Sequence, residues 1–420
     1  MKRSPIGRRH VMCCGAAAAS GMFMSLLEAT PADEARLRAL PAAARDLVQE
    51  TFDGLDATRL WDVHAHLLGT GDAGSGCWVH PHLDSWWHPL EAMRKRVILY
   101  GAGVALRSRR VDLDYVNRLA ALAADFPAGA RWMLFAFDHA HDDRGRSEAA
   151  RTTFHVPDAW AAQVASTHGD RFGWAASIHP YREDAVSRLW HALASGALAV
   201  KWLPSAMNID LRDPRCVPFY EALAAAGALL IVHAGEEKAV PGARRDDFDN
   251  PLLVRAALRC GVRVVVAHCA SLGRALDLDR RAPRERPAFE LFARLMDERD
   301  WQGLLYGDVS ALFLSNRRPT VWHTVLARAD WHPRLLHGSD YPLPCVTPLA
   351  RLAPLVRAGV LAADDATALA TLRAYNPLLF DLAVKRRAAW RGARLSTAVF
   401  HTRDRVLDRR ARDAGATAQP

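Results

Sequence analysis

Eight apolar runs of strand length recur through the middle of this chain, separated by spans of helical patterning. They cover residues 59–67, 131–138, 171–180, 197–204, 229–234, 262–269, 304–312 and 335–342. Near-continuous apolar runs of this length suit strands covered on both faces, as in a parallel sheet flanked by helices. Between them, residues 112–126 set Leu113, Val116, Leu119 and Leu122 on one helical face. Residues 182–195 stop at Gly196, and Asn250-Pro251 opens a span over 252–260 that Gly261 closes, both ordinary helix punctuation. Further helices fit 157–168, 214–226, 287–299, 319–329 and 364–374. The count of eight favours a closed (β/α)8 TIM barrel over an open doubly wound sheet. No Gly-x-Gly-x-x-Gly follows the first strand, which counts against a dinucleotide-binding domain. The expected architecture is therefore α/β, one large barrel over residues 60–382 with long strand-to-helix loops, preceded by a helical lead-in at 31–59. At 420 residues, 50% apolar and 24% charged, the chain can bury such a core.

The ends differ from this body. Residues 1–30 hold four Lys/Arg and one acid, with an uncharged stretch from Val11 to Leu27 behind a basic head. This is the layout of an export signal, and Arg8-Arg9 resembles the twin-arginine type. It predicts an exported, periplasmic protein, with a cytoplasmic one as the alternative. The stretch is too short and too rich in small residues for a good membrane span, and no other run is longer. No membrane partner is expected once the signal is removed. Residues 383–420 are Arg-rich and poor in large apolar groups, which predicts a solvated helix or loose basic tail. The formal charge of +9 lies at these ends: +3 within 1–30, +6 within 381–420, and zero between them. A neutral body lacks the basic face that a nucleic-acid backbone requires. Five cysteines remain beyond residue 30, scattered and without a Cys-x-x-Cys pair, so they read as free thiols rather than a disulfide framework.

Chemistry gathers where the apolar runs end. Leu60-Trp61-Asp62-Val63-His64-Ala65-His66 sets two histidines two residues apart, on one face of a strand. Two converging imidazoles at the C-terminal end of a barrel strand suit a divalent ion such as zinc. The pattern repeats: Leu229–Val232 runs into His233, Val264–Ala267 into His268, Arg334-Leu335-Leu336 through His337-Gly338-Ser339 to Asp340, and Ala197–Val200 into Lys201. A buried ionisable group must be paired or metal-bound. One such residue can be an ordinary core histidine; six at corresponding strand ends are hard to explain that way. Lys201 stands out in a chain with fifty Arg and five Lys, which suggests that a primary amine is needed there.

With these residues the sequence resembles the amidohydrolase superfamily, and is most similar to its amidohydrolase-related ("amidohydrolase 2") branch. The carrying segments are Asp62-Val63-His64-Ala65-His66, Val200-Lys201-Trp202-Leu203-Pro204, Ile231-Val232-His233-Ala234-Gly235, Val265-Val266-Ala267-His268, Gly338-Ser339-Asp340-Tyr341-Pro342 and Asn376-Pro377-Leu378-Leu379-Phe380. The resemblance implies a metal site built from His64, His66, Lys201, His233, His268 and Asp340, holding one or two divalent ions. His268 either binds a second ion or polarises the substrate, and Asp340 moves the proton. Lys201 bridges two ions if it is carbamylated. The implied reaction is hydrolysis of an amide, lactone or ester carbonyl in a small organic substrate, by a water whose pKa an ion brings from about 15.7 toward 7. The alternative is a metal-dependent, non-oxidative decarboxylase of an aromatic or unsaturated acid. A third reading, of a different class, is a catalytically inactive secreted barrel that serves as a binding protein.

Three long connections follow barrel strands and are expected to shape the pocket. Residues 68–93 carry Trp78, Trp86 and Trp87, and 139–157 carry His139 and His141. Residues 313–320 carry Arg317 and Arg318. Trp86 is expected against an apolar substrate part, Arg317 against a carboxylate, and His179, at the end of the third strand, in the pocket wall. Asp62 and Asp308 are candidates to orient the histidines. A homo-oligomer is possible.

Overall fold

All eight expected strands form, and in sequence order they make one parallel sheet. They are β1 (Trp61–His66), β2 (Arg131–Phe135), β3 (Phe172–Ala176), β4 (Ala199–Trp202), β5 (Leu229–Val232), β6 (Arg263–Val266), β7 (Leu305–Asp308) and β8 (Leu335–Leu336). In this computed structural model the described residues are 37 and 39–408, apart from 106 and 241. The expected export signal at 1–30 and the end of the expected basic tail, 409–420, lie outside them. Beyond β8 the chain closes the barrel on β1: Val63 N–H donates to His337 O at 2.9 Å, Asp340 N–H to His64 O at 2.7 Å and His66 N–H to Tyr341 O at 2.9 Å. A Cβ on Gly338 would stand 2.6 Å from the His64 Cβ, so this seam requires glycine.

The strands bury both faces. Trp61, Val63, Phe135, Ile231, Val265 and Leu336 belong to a cluster inside the barrel, while Leu134, Val200, Leu230 and Val264 pack outward under the helices. The intervening helices include α1 (Ala42–Phe52) in the lead-in, α2 (Pro89–Gly101), α3 (Val111–Ala124), α4 (Asp158–Thr167), α5 (Ala185–Ala194), α6 (Val217–Ala226), α7 (Arg255–Arg259), α8 (Ala288–Asp297), α9 (Pro319–Ala327), α10 (Asp365–Tyr375), α11 (Pro377–Arg387) and α12 (Arg403–Leu407). Asn250 caps as its Asn-Pro sequence predicts, accepting from Leu252 N–H at 3.0 Å, and Asn376 does the same at α11, accepting from Leu378 N–H at 2.9 Å. Among the described residues no helix is long and apolar enough to cross a membrane, and all five cysteines are free.

Two expectations are corrected. The first connection is not merely a loop, since α2 forms from its end. Its start is pinned by Asp112 at the head of α3, which accepts from Thr70 N–H at 2.6 Å and the Ser75 hydroxyl at 2.6 Å. Nor is the segment after 383 a loose tail as far as residue 408. α11 is buried along most of its length, and α12 plugs the N-terminal end of the barrel with Val406. Thr402 accepts from Trp61 N–H at 3.1 Å, and the Arg263 guanidinium donates to the carbonyls of Arg405 and Asp408. Of the arginines that suggest a solvated tail, Arg386, Arg394 and Arg405 donate to backbone carbonyls and Arg387 pairs with Glu50.

Candidate metal centre

Four of the six expected side chains converge at the C-terminal end of the barrel. Asp340 Oδ1 lies 3.1 Å from His66 Nε2 and 3.5 Å from His64 Nε2, and its Oδ2 lies 3.7 Å from His268 Nε2. One ligand atom each from His64, His268 and Asp340 falls within a 4.8 Å span. The His233 ring lies 5.4 Å from that of His268, between centroids. Lys201, His66, His233, His268 and Asp340 all line one cavity of about 360 Å³. A larger hollow of about 610 Å³ lies at the opposite end of the barrel, against Thr58, Trp61 and Arg403, and holds none of these groups.

Local backbone geometry aims the side chains. In β1 the pairing with β2 shifts register between Asp62 and Ala65. This bulge lets Trp61 and Val63 face the interior and still brings His64 and His66 to the site. Simple alternation serves β4, β5 and β7, where Lys201, His233 and Asp308 follow Ala199, Ile231 and Tyr306 of the interior cluster by two residues. At the end of β6 alternation from Val265 would send His268 outward. A left-handed turn through His268, Cys269 and Ala270 (φ 55°, 51° and 48°) redirects it. Tyr115 of α3 donates to the His66 carbonyl at 2.8 Å and holds the end of β1.

The donor set fits a divalent ion. His64 Nδ1 lies 2.9 Å from Asp308 Oδ2, so the proton sits on Nδ1 and the Nε2 lone pair is free. His268 Nδ1 faces the Ser310 carbonyl at 3.1 Å and its hydroxyl at 2.8 Å, which leaves its Nε2 likewise free. His233 Nδ1 approaches Glu237 Oε2 at 3.4 Å. The atoms left buried without a hydrogen-bond partner include His64 Nε2, His233 Nε2 and Lys201 Nζ. Orphaned nitrogens on imidazoles whose other nitrogen is held by an oxygen are the arrangement of histidine–metal sites. Burial, with neighbouring cationic groups, holds His64 and His268 well below the usual imidazole range, and burial lowers His233. Each shift favours the neutral form, which is the one able to ligate. Burial also pulls Lys201 down to about 8.

Asp308 and Asp62 stand behind the ligands, as candidates for that role. Asp308 Oδ1 accepts from the N–H groups of His268 and Ser310, both at 3.0 Å. Asp62 Oδ1 accepts from His64 N–H and Ser339 N–H, both at 2.9 Å, and burial raises its pKa to about 7. Ser310 and Glu237 were not singled out by sequence reasoning. Glu237 lies four residues past His233 in a loop, where no periodicity marks it.

The three expected substrate contacts separate. Arg317 lines the cavity; it is buried, donates to Ser271 Oγ at 2.8 Å and Asn316 Oδ1 at 3.0 Å, and has no carboxylate at ion-pair distance among the described residues. Arg318 is exposed at the start of α9. His179 does not line the cavity: it is fully buried, its Nε2 2.9 Å from Met207 O and its Nδ1 accepting from Tyr181 N–H at 3.2 Å, so both ring nitrogens are occupied. Trp86 is 75% exposed and lies against Trp87, ring centroids 3.7 Å apart, instead of entering the cavity. Met93, Val97 and Ile98 of α2, with Phe154, Leu314 and Val346, form the apolar wall.

A parallel barrel with this cluster at the C-terminal ends of its strands is the fold of amidohydrolase-superfamily enzymes. Residues 61–377 match the family model of Amidohydro_2, described as amidohydrolase, and the chain belongs to that family. Among solved structures it is similar to an uncharacterised TIM-barrel protein of Bordetella bronchiseptica (17% identity, 71% of this chain and 99% of that one, TM-score 0.44). It is also similar to a provisionally assigned 2-pyrone-4,6-dicarboxylic acid hydrolase of Pseudomonas putida (17%, 77% and 97%, TM-score 0.41). A third is the 5-carboxyvanillate decarboxylase of Sphingomonas paucimobilis (13%, 74% and 96%, TM-score 0.43). No curated protein sequence matches the chain.

Proposed function

We propose that the protein is a metal-dependent hydrolase of small organic acids with an apolar body, and that zinc is its ion. The observation that carries this reading is the set of orphaned buried nitrogens on His64, His233 and Lys201 beside Asp340. His64, His66, His268 and Asp340 would hold one ion, and His233 with Lys201 a second if Lys201 is carbamylated. A divalent ion supplies Lewis acidity, acidifying water and polarising a carbonyl oxygen. Asp340, with one oxygen toward His66 and the other toward His268, accepts the proton of an attacking water and returns it to the leaving group. Ser310 holds His268 Nδ1 and so keeps its Nε2 aimed at the ion site. Arg317, a buried guanidinium without a carboxylate partner, binds the substrate's carboxylate. The aliphatic wall takes its apolar body. The basic and apolar N-terminal segment supports export.

The test is an assay of lactones, amides and esters bearing a free carboxylate, beside metal analysis of protein purified without chelator. Arg317→Gln is expected to raise KM for an acidic substrate about tenfold to a hundredfold, with a smaller change in kcat. An unchanged KM removes Arg317 from substrate binding. Release of CO2 in place of a hydrolysis product turns the reading to a decarboxylase. Absence of bound metal, with no gain from added zinc or manganese, turns it to a binding protein.

A further inference from the structure

Eleven large hydrophobic side chains are markedly exposed among the described residues, and six of them fall between residues 86 and 100. Trp86, Trp87, Leu90 and Tyr100 are each more than 70% exposed, and Met93 and Val97 are 56% and 39% exposed. Leu90, Met93, Val97 and Tyr100 are spaced three, four and three residues apart on α2, so they form one stripe along it. An amphipathic helix in a soluble domain turns such a stripe inward. Here α2 buries Ala92 and Leu99 instead and shows the stripe to the outside.

The stripe is flanked by positive charge. Residues 84–110 hold six Lys/Arg and two acids, a surplus of four within a body, 31–380, that sums to zero. Arg94, Arg96, Arg107, Arg109 and Arg110 are exposed, and Lys95 pairs with Asp84 at 2.7 Å. An apolar stripe with a pair of tryptophans at its head and cations beside it has the composition of a helix that lies in a lipid–water interface. A second copy of the chain fits less well. A two-fold contact through this face would set each basic cluster against its own image.

We propose that α2 and the Trp86–Trp87 corner dock the protein on the surface of an anionic bilayer. Met93 and Val97 belong both to the stripe and to the cavity wall, so docking sets the cavity mouth against lipid. This departs from the expectation of no membrane partner, which rested on spanning segments alone. The proposal does not depend on the reaction assigned above.

The test is co-sedimentation of the full chain with vesicles of phosphatidylcholine, with and without phosphatidylglycerol. Residues 11–27 are themselves apolar, so each variant is compared with the wild-type chain carrying the same segment. Arg94→Gln with Arg96→Gln is expected to lower partitioning onto phosphatidylglycerol vesicles about thirtyfold at low salt, at roughly fivefold per charge. Trp86→Ser with Trp87→Ser is expected to lower it about tenfold or more. All four positions are exposed, and circular dichroism confirms the fold of each variant. Wild-type partitioning by both variants overturns the proposal. So does a concentration-dependent dimer that the tryptophan variant breaks while vesicle binding stays unchanged, which would assign the face to a second copy.

Discussion

Fully buried Asp308 accepts at once from the His64 ring, the His268 backbone, and the Ser310 backbone and hydroxyl. One carboxylate therefore fixes the tautomer of one proposed ligand and the position of another, without facing the cavity. Its negative charge also raises the basicity of His64 Nε2. Asp308→Asn keeps the shape but removes the charge and replaces one acceptor oxygen with a donating NH2. It is expected to weaken divalent-metal binding about tenfold to a hundredfold. A competition titration against a chelator reads this directly, and an affinity equal to wild type would remove Asp308 from the site's support. The residue was legible as a candidate because an apolar strand leads into it. Its partners were not, because they come together only when β1, β6 and β7 stand side by side.

At the scale of elements, the eight strands and their order were legible because covered parallel strands are apolar along their whole length. Strand-end chemistry was legible where period two holds, at Lys201 and His233. The route to His268 was not, since its aim depends on three consecutive left-handed residues and none of them is glycine. The loop reading of residues 68–93 failed at α2 because the helix carries its apolar stripe outward. The tail reading of 383–408 failed because composition counts arginines and not where their protons go. Arg386 donates to Thr51 O at 3.1 Å, and α12 buries a single valine, Val406, in the barrel floor. One buried apolar residue in a five-residue helix gives no periodic signal, yet it packs against the interior cluster. Val406→Asp would place an unpaired carboxylate against the interior cluster and is expected to cost at least about 2 kcal/mol. Urea unfolding reads the loss; a midpoint within error of wild type would mean that the floor is not closed by α12.

The whole molecule carries a pH dependence whose sign follows from two opposed sets of groups. Burial lowers the pKa of nine histidines outside the proposed ligand set: His80, His139, His141, His155, His168, His179, His332, His337 and His401. Below about 6.5 the unfolded chain takes up protons that these folded imidazoles refuse, so their contribution to stability falls as pH falls. Burial acts oppositely on five aspartates, raising Asp62 and Asp158 to about 7 and Asp381 to about 6, with Asp249 and Asp365 also raised. Their contribution is full below the ordinary carboxylate range and is lost as pH rises through the folded values. Between pH 6.5 and 5 the two sets pull against each other, and the histidines are the more numerous. His179 and His337, held well below the usual range by burial, belong to the first set. The net expectation is a loss of stability between pH 6.5 and 5. Urea unfolding in the presence of chelator measures it apart from metal release, which acts in the same direction because ligating imidazoles must be neutral. A stability that stays level or rises on acidification would mean that the buried carboxylates, and not the histidines, govern the acid limb.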